Sequence, residues 1–237
     1  MSSLALMYHG ISSAQHPLSA MPAEDRPYAL DEQAFARHLE CIGSAPVLLT
    51  FDDGDAGWYH SALPLLEQVG LRALFFVTPQ LIGTPGYCSW EQLRALVAAG
   101  HQIGTHGLTH RFLPDLDEDV CLLELCESKQ EVERHLGISV DALSFPGGRY
   151  GERELVLARR AGYLRCYSSV PGKMDESAFC QPRIAVRAQT SERWLKQLLA
   201  GSWHVWLVLR GSYLLKAAAK RILGNRGYHA LYRIARG

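Results

Sequence analysis

The sequence predicts an α/β protein, a distorted and incomplete (β/α)7 barrel with a C-terminal helical extension. Seven short apolar runs alternate with stretches of helical period, and several of the runs are continuously apolar, as strands of a parallel sheet buried on both faces are. The chain of 237 residues is long enough for one large α/β domain around a single core. Seven βα units favour a closed or partly closed barrel over an open doubly wound sheet. Residues 1–200 are assigned to the barrel and residues 201–237 to a basic helical extension.

In chain order the strand candidates are LALMYH from Leu4, APVLLTFDD from Ala45, RALFFVTP from Arg72, HQIGTH from His101, ALSFPG from Ala142, YLRCYSS from Tyr163 and IAVRA from Ile184. Between them, DEQAFARHLECI, WYHSALPLLEQVG, SWEQLRALVAAG, DLDEDVCLLELCESKQEVERHLG and ERELVLARRAG have the spacing of amphipathic helices. Ser89 followed by Gln92 is a capping-box pattern, and Gly100 closes that helix.

Composition is ordinary for a globular chain, 48% hydrophobic and 20% charged, with no formal net charge. The charge is unevenly placed. All 24 acidic residues lie at or before Glu192, whereas residues 193–237 hold nine Lys or Arg, so the tail is +9 and the body −9. An acidic barrel opposes nucleic-acid binding. The start, MSSLALMYHG, shows neither a basic n-region nor a long apolar segment, so no secretory signal is read. A cytoplasmic place is expected, or one peripheral to the inner face of a membrane through the tail. The apolar stretch VWLVL after His204 is far shorter than the ~20 residues of a membrane span. Six scattered cysteines, without C-x-x-C spacing, read as reduced thiols packed as small hydrophobes.

A barrel of this kind gathers its chemistry at the C-terminal ends of the strands. His9 ends the first strand candidate, Asp52 and Asp53 the second, and His106 the fourth. The two adjacent carboxylates suit either a surface turn or a bound cation. In THGLTH, His106 and His110 are four apart; if the segment is helical, both imidazoles share one face within reach of one ion at ~2.0–2.1 Å. Two histidines and a carboxylate with open positions make a typical catalytic metal set.

Three segments carry a resemblance. TFDDG (Thr50 to Gly54), GHQIGTHGLTH (Gly100 to His110) and SFPGG (Ser144 to Gly148) resemble, in order and spacing, successive motifs of the polysaccharide deacetylase family, the NodB-homology or carbohydrate esterase family 4 proteins, across Met1 to Gln189. The resemblance implies a distorted β/α barrel and a metal bound by Asp53, His106 and His110, usually zinc and sometimes nickel or cobalt. It makes Asp52 the general base and the Gly147 N–H, after Pro146, the oxyanion donor; Tyr150 is grouped with these as a substrate-binding position. The chain is similar to the circularly permuted subgroup that includes the biofilm poly-N-acetylglucosamine deacetylases, whose acid histidine precedes the Asp pair, which points to His9 as the acid.

Two departures follow. Where the third motif usually begins with an arginine that orients the base, this chain has Ser144; Arg183 in QPRIAV is the replacement candidate and Arg149 the second. The late Asp/Trp motif that supports the acid histidine is not recognisable. Other residues take structural readings: Asp55 caps the following helix, His101 satisfies local backbone groups, and Trp58, Tyr59, Tyr87 and Trp90 are core or sugar-stacking aromatics. The long loop from Gly10 to Leu30 is expected to border a substrate groove. The tail is either an amphipathic basic helix on an anionic membrane or acidic partner, or a helical cap on the acidic body. The expected activity is metal-dependent N-deacetylation of a sugar in a glycan or glycolipid precursor. An O-acetyl ester or other amide substrate, and a carbohydrate-binding protein without turnover, are the alternatives.

Overall fold

The computed structural model describes residues 4–21 and 26–215. The chain divides into two compact units, Met1–Glu192 and Arg193–Gly237. In the first lie β1 (Leu4–Tyr8), β2 (Ile11–Ser12), β3 (Leu30–Asp31), α1 (Glu32–Ile42), β4 (Val47–Asp53), α2 (Leu63–Val69), β5 (Ala73–Val77) and α3 (Trp90–Ala98). There follow β6 (Gln102–Thr105), α4 (Glu118–Leu136), β7 (Ala142–Ser144), α5 (Glu152–Arg160), β8 (Arg165–Tyr167), β9 (Cys180–Gln181) and β10 (Ile184–Ala185). Helix α6 (Glu192–Leu199) begins at the division, and a further helix runs from residue 203 to 215; residues 216–237 of the expected basic extension lie outside the described residues.

Eight strands form one parallel sheet in the order β10-β1-β4-β5-β6-β7-β8-β9, and β2 pairs β3 apart from it. The architecture is the expected distorted barrel, with eight strands where the sequence pattern gave seven. The extra strand, β9, has two residues, too few to display a period. It matters because it forms one edge of the sheet while β10 forms the other, and only Pro182 and Arg183 separate them. Three peptide steps span at most about 11 Å. The chain itself therefore draws the two edges together, and Arg183 sits in the seam.

Side-chain alternation along β4 sorts the core into two faces. Leu48, Leu74, Phe76, Ala142, Tyr167 and Met174 pack inside the barrel. On the opposite face Phe51 stacks on Phe75 at 4.7 Å and on Tyr8 at 5.4 Å, Trp58 lies 5.0 Å from Phe75, and Phe35 of α1 meets Phe51 edge-on. Trp58 is thus a core residue, and its Nε1–H donates to the His9 carbonyl. Helix α1 fits this face because Phe35, His38, Leu39 and Ile42 recur on one side, with Asp31 capping the Ala34 N–H. The capping box at Ser89 and Gln92 forms as the sequence indicated.

The helix expected from Trp58 starts instead as a π-turn, Trp58–Ala62, before α2. Pro64 has no N–H to give to the His60 carbonyl, and its ring crowds that turn, so the backbone widens there. Asp55 is not the cap of this helix either. Its Oδ1 accepts from Ile11 N and Gly57 N, and its Oδ2 pairs with His16 Nε2 at 2.8 Å, so it pins the β1–β3 loop. That loop folds back on the end of β1, with Met21 against Gly10. All six cysteines are free.

Gly57 is the tightest point of this arrangement, since a Cβ there would lie 1.9 Å from the Ile11 carbonyl oxygen. Gly57→Ala is expected to lower stability by about 2–3 kcal/mol in urea unfolding, because backbone must move. Gly137→Ala has open space around it and only its φ of 66° to oppose it, and should cost about 1 kcal/mol.

Candidate active site

Pairing across the sheet brings the site residues to one level. Asp53 of β4 is in register with Val77 of β5, and Val77 with Thr105 of β6. The His106 N–H donates to the Val77 carbonyl, and Thr78 N–H to that of Asp53, so the strand ends are tied side by side.

Asp53, His106 and His110 offer one ligand atom each, all within 4.8 Å of one another. Asp53 Oδ1 lies 3.4 Å from His106 Nε2 and 3.2 Å from His110 Nε2. His106 Nδ1 is 2.8 Å from the Ser144 carbonyl, an acceptor only, so Nδ1 carries the proton and Nε2 presents its lone pair to the cluster. Burial pushes the His106 imidazole down to about 4, which keeps it neutral at physiological pH. The donor set of one carboxylate and two imidazoles, with His110 only half-buried, suits a divalent transition-metal ion.

The route by which these groups meet differs from the expected helical turn. His106 and His110 lie on a loop, not a helix; Gly107 turns it with φ 73°, and His110 itself has φ 62°. Asp53 has φ 90°. Alternation alone would aim Asp53 away from the barrel interior that Asp52 faces, and the positive φ, with Gly54 next at 116°, re-aims it. Among the described residues, Asp53 and His110 are the two non-glycine residues with positive φ. Such backbone strain is worth about 1–3 kcal/mol per residue and gathers at functional sites.

Asp52 is held differently. The fully buried Arg183 donates from Nη1 to Oδ1 and from Nη2 to Oδ2, both at 2.7 Å, and Ser144 Oγ donates to Oδ2 at 3.0 Å. Burial alone would raise the Asp52 carboxyl, but the Arg183 guanidinium, together with the fields of His106 and His9, holds the group below the usual carboxylate range. Arg183 further contacts Thr50 Oγ1 and the Ser168 carbonyl. Arg149, the second candidate, instead lies 4.0 Å over the Phe112 ring and pairs with Asp115. Asp52 Oδ2 is 3.9 Å from His106 Nε2, so Asp52 and the cluster are neighbours.

His9 stacks on Tyr28 at 4.8 Å, its Nδ1 buried without a hydrogen-bond partner, and its field favours the charged forms of both Asp52 and Asp53. Gly147 occupies a left-handed turn, φ 61°, between buried Pro146 and Gly148; a Cβ on it would strike Phe112. Tyr150 stacks on Phe145 at 4.7 Å. A cavity of about 270 Å³ opens beside His110, lined by Arg111, Phe112, Asp115 and Leu116. His101 Nδ1 accepts the Ala73 N–H, a local role as read from sequence.

Two functional contributions were not foreseen. Buried Glu124 of α4 accepts from the N–H groups of Leu108 and Thr109 and from Thr109 Oγ1, and so shapes the loop that carries His110. Its signal was an acid in phase with the buried Cys121, Leu125, Ser128 and Val132. Ser144, noted only as a missing arginine, supplies a hydroxyl to Asp52 and a carbonyl to His106.

A parallel barrel with a two-histidine, one-carboxylate cluster and a clamped second carboxylate at its strand ends defines a recognisable class of β/α proteins. Within it, the chain belongs to the polysaccharide deacetylase family, whose model matches residues 41–165. YxkH of Bacillus subtilis (strain 168), assigned as a polysaccharide deacetylase, is 30% identical over 142 residues, 59% of this chain and 51% of its own length. The chain thus spans about half the length of the curated relatives it matches. Among solved structures, the Streptococcus pyogenes deacetylase PplD in complex with acetate superposes with a TM-score of 0.72 at 21% identity, covering 84% of this chain and 97% of that one. IcaB from Ammonifex degensii gives 0.70 at 21% identity, covering 84% and 96%. These likenesses show the fold.

Two substitutions probe the geometry. At φ 90°, Asp53→Gly should be more stable than Asp53→Ala by about 1 kcal/mol in the metal-free protein, reversing the usual order of the two residues. Arg183→Met strands a buried carboxylate and should lower stability by about 3–5 kcal/mol at pH 7. Because Asp52 titrates below the usual range in the parent, its stabilising contribution is present above the ordinary carboxylate pKa and lost as pH falls through the lower folded value. The difference between parent and variant should therefore shrink as the pH of urea titrations is taken below about 4.

Proposed function

We propose that the protein is a metal-dependent hydrolase that removes an N-acetyl group from a sugar of a glycan, glycolipid or polysaccharide precursor. One observation carries the reading: two adjacent carboxylates are put to different uses, Asp53 facing two imidazoles and Asp52 locked on Arg183 beside them. Family membership, and relatives named for deacetylation of peptidoglycan N-acetylglucosamine and chitin, support it.

Asp53, His106 and His110 would hold a divalent ion, zinc first, with nickel or cobalt as alternatives. When bound, such an ion supplies an acidified water and a Lewis acid at the acetyl carbonyl. The remaining work falls to the chain. Arg183 keeps Asp52 ionised and fixes its plane. Of the four carboxylate lone pairs, three are engaged by Arg183 and Ser144, which leaves Asp52 one with which to accept the proton of the attacking water. The Gly147 N–H donates to the oxyanion as the carbonyl becomes tetrahedral. His9 protonates the amine nitrogen as the C–N bond breaks, without which a sugar amine leaves badly. Phe112 and Tyr150 present faces on which an acetylated pyranose can lie.

Metal analysis of the purified protein, coupled to acetate release from N-acetylated oligosaccharides, tests the reading. Asp53→Ala is expected to lose both metal and activity. Asp52→Asn should keep the metal and lose about 10²–10⁴-fold in kcat. Release only from O-acetyl esters, or tight glycan binding with turnover absent under every metal and unaffected by Asp52→Asn, would overturn the proposal.

A further inference from the structure

The helix from residue 203 to 215 presents an apolar face that the barrel chemistry does not use. Trp203, Leu207 and Leu214 are 65%, 63% and 64% exposed. Their spacing of i, i+4 and i+11 places them within about 40° of one another around the helix axis. Val208 and Leu215 are also exposed but lie about 100–120° further round the helix, while Val205, opposite the three, is buried. Arg210 and His204 lie on the exposed surface among them, and Tyr213 is partly exposed. Single exposed hydrophobes are ordinary, but three large ones aligned along one stripe of a helix point to a docking surface.

Charge decides among occupants. Residues 193–237 contain nine Lys or Arg and no Asp or Glu. A symmetric contact with a second copy would bring basic segment against basic segment. An anionic bilayer offers both an apolar layer for Trp203 and the leucines and negative headgroups for Arg210, whose long side chain can reach the headgroup level, and for the net positive charge of the segment. No helix among the described residues is long and apolar enough to cross a membrane. We propose that the helix from residue 203 to 215 lies in the interface of an anionic lipid membrane, with Trp203, Leu207 and Leu214 inserted among the acyl chains. This binding is independent of the hydrolase reading.

The test uses the full chain and two kinds of vesicle, phosphatidylglycerol mixed with phosphatidylcholine, and phosphatidylcholine alone, followed by flotation. The protein should partition to the anionic vesicles at least about tenfold better than to the neutral ones, and less as salt rises. A Trp203→Gln, Leu207→Gln, Leu214→Gln variant should lose at least about tenfold of that partitioning. A measurement that does not depend on this variant folding is the fluorescence difference between the parent and Trp203→Phe, in which the Trp203 emission should shift to the blue on adding anionic vesicles. Absence of partitioning, equal partitioning of the triple variant, or an unshifted Trp203 emission would overturn the proposal. So would concentration-dependent self-association that the triple variant disperses while vesicles bind neither protein, since that assigns the face to a second copy.

Discussion

Most of the site depends on one ion pair, Arg183 with Asp52. Arg183 is fully buried, which is tolerable for a guanidinium only if its donors are used, and here they reach Asp52 twice, Ser144, Thr50 and the Ser168 carbonyl. These partners lie on or just beyond β4, β7 and β8, while Arg183 itself joins β9 to β10 at the seam. One side chain therefore spans the barrel interior from its unpaired edge to β4. Closing the barrel and fixing Asp52 are the same event, and the planar two-pronged geometry is one that Lys could not reproduce.

The second constraint is backbone strain, and it is local. Asp53 and His110 are held at positive φ by surroundings that leave little choice: the Thr78 N–H holds the Asp53 carbonyl, and Glu124 holds the turn before His110. The strain is offset by hydrogen bonds contributed from elements on either side. That distributes the support for two small side-chain displacements over β5 and α4, residues with no part in the chemistry.

Legibility in the sequence followed from how each feature is encoded. The βα alternation, the strand-end positions of His9, Asp52, Asp53 and His106, and the segments TFDDG and SFPGG were readable because apolar period and motif order are local properties. Arg183 could be picked out as a lone basic residue at the head of a late apolar strand, but its bidentate contact is a matter of tertiary distance. Strand β9 was not readable, since two residues carry no period. The helical turn from His106 to His110 was misread because spacing of four suits a helix and also suits a tight loop turned at Gly107; the left-handed His110 that makes the difference leaves no trace in composition. Pro64 did announce its π-turn, and the signal was passed over because the surrounding residues are good helix formers.

The adjacent carboxylates differ in what neutralises them. Asp52 faces a guanidinium that is charged at every pH of interest, so its burial is compensated within the chain. The ion pairs of Asp53 among the described residues are with imidazoles, and the nearer in burial, His106, is neutral at physiological pH because its own burial pushes it down to about 4. Burial works against the Asp53 charge, and the His110 contact with the fields of His9 and His106 holds its carboxyl below the usual carboxylate range. A dication would add a positive charge that does not depend on pH and would use the same lone pairs that the neutral imidazoles present. The aspartate pair therefore sits next to a place for positive charge that the chain does not itself fill, and the clamp on Asp52 ensures that this carboxylate does not compete for it.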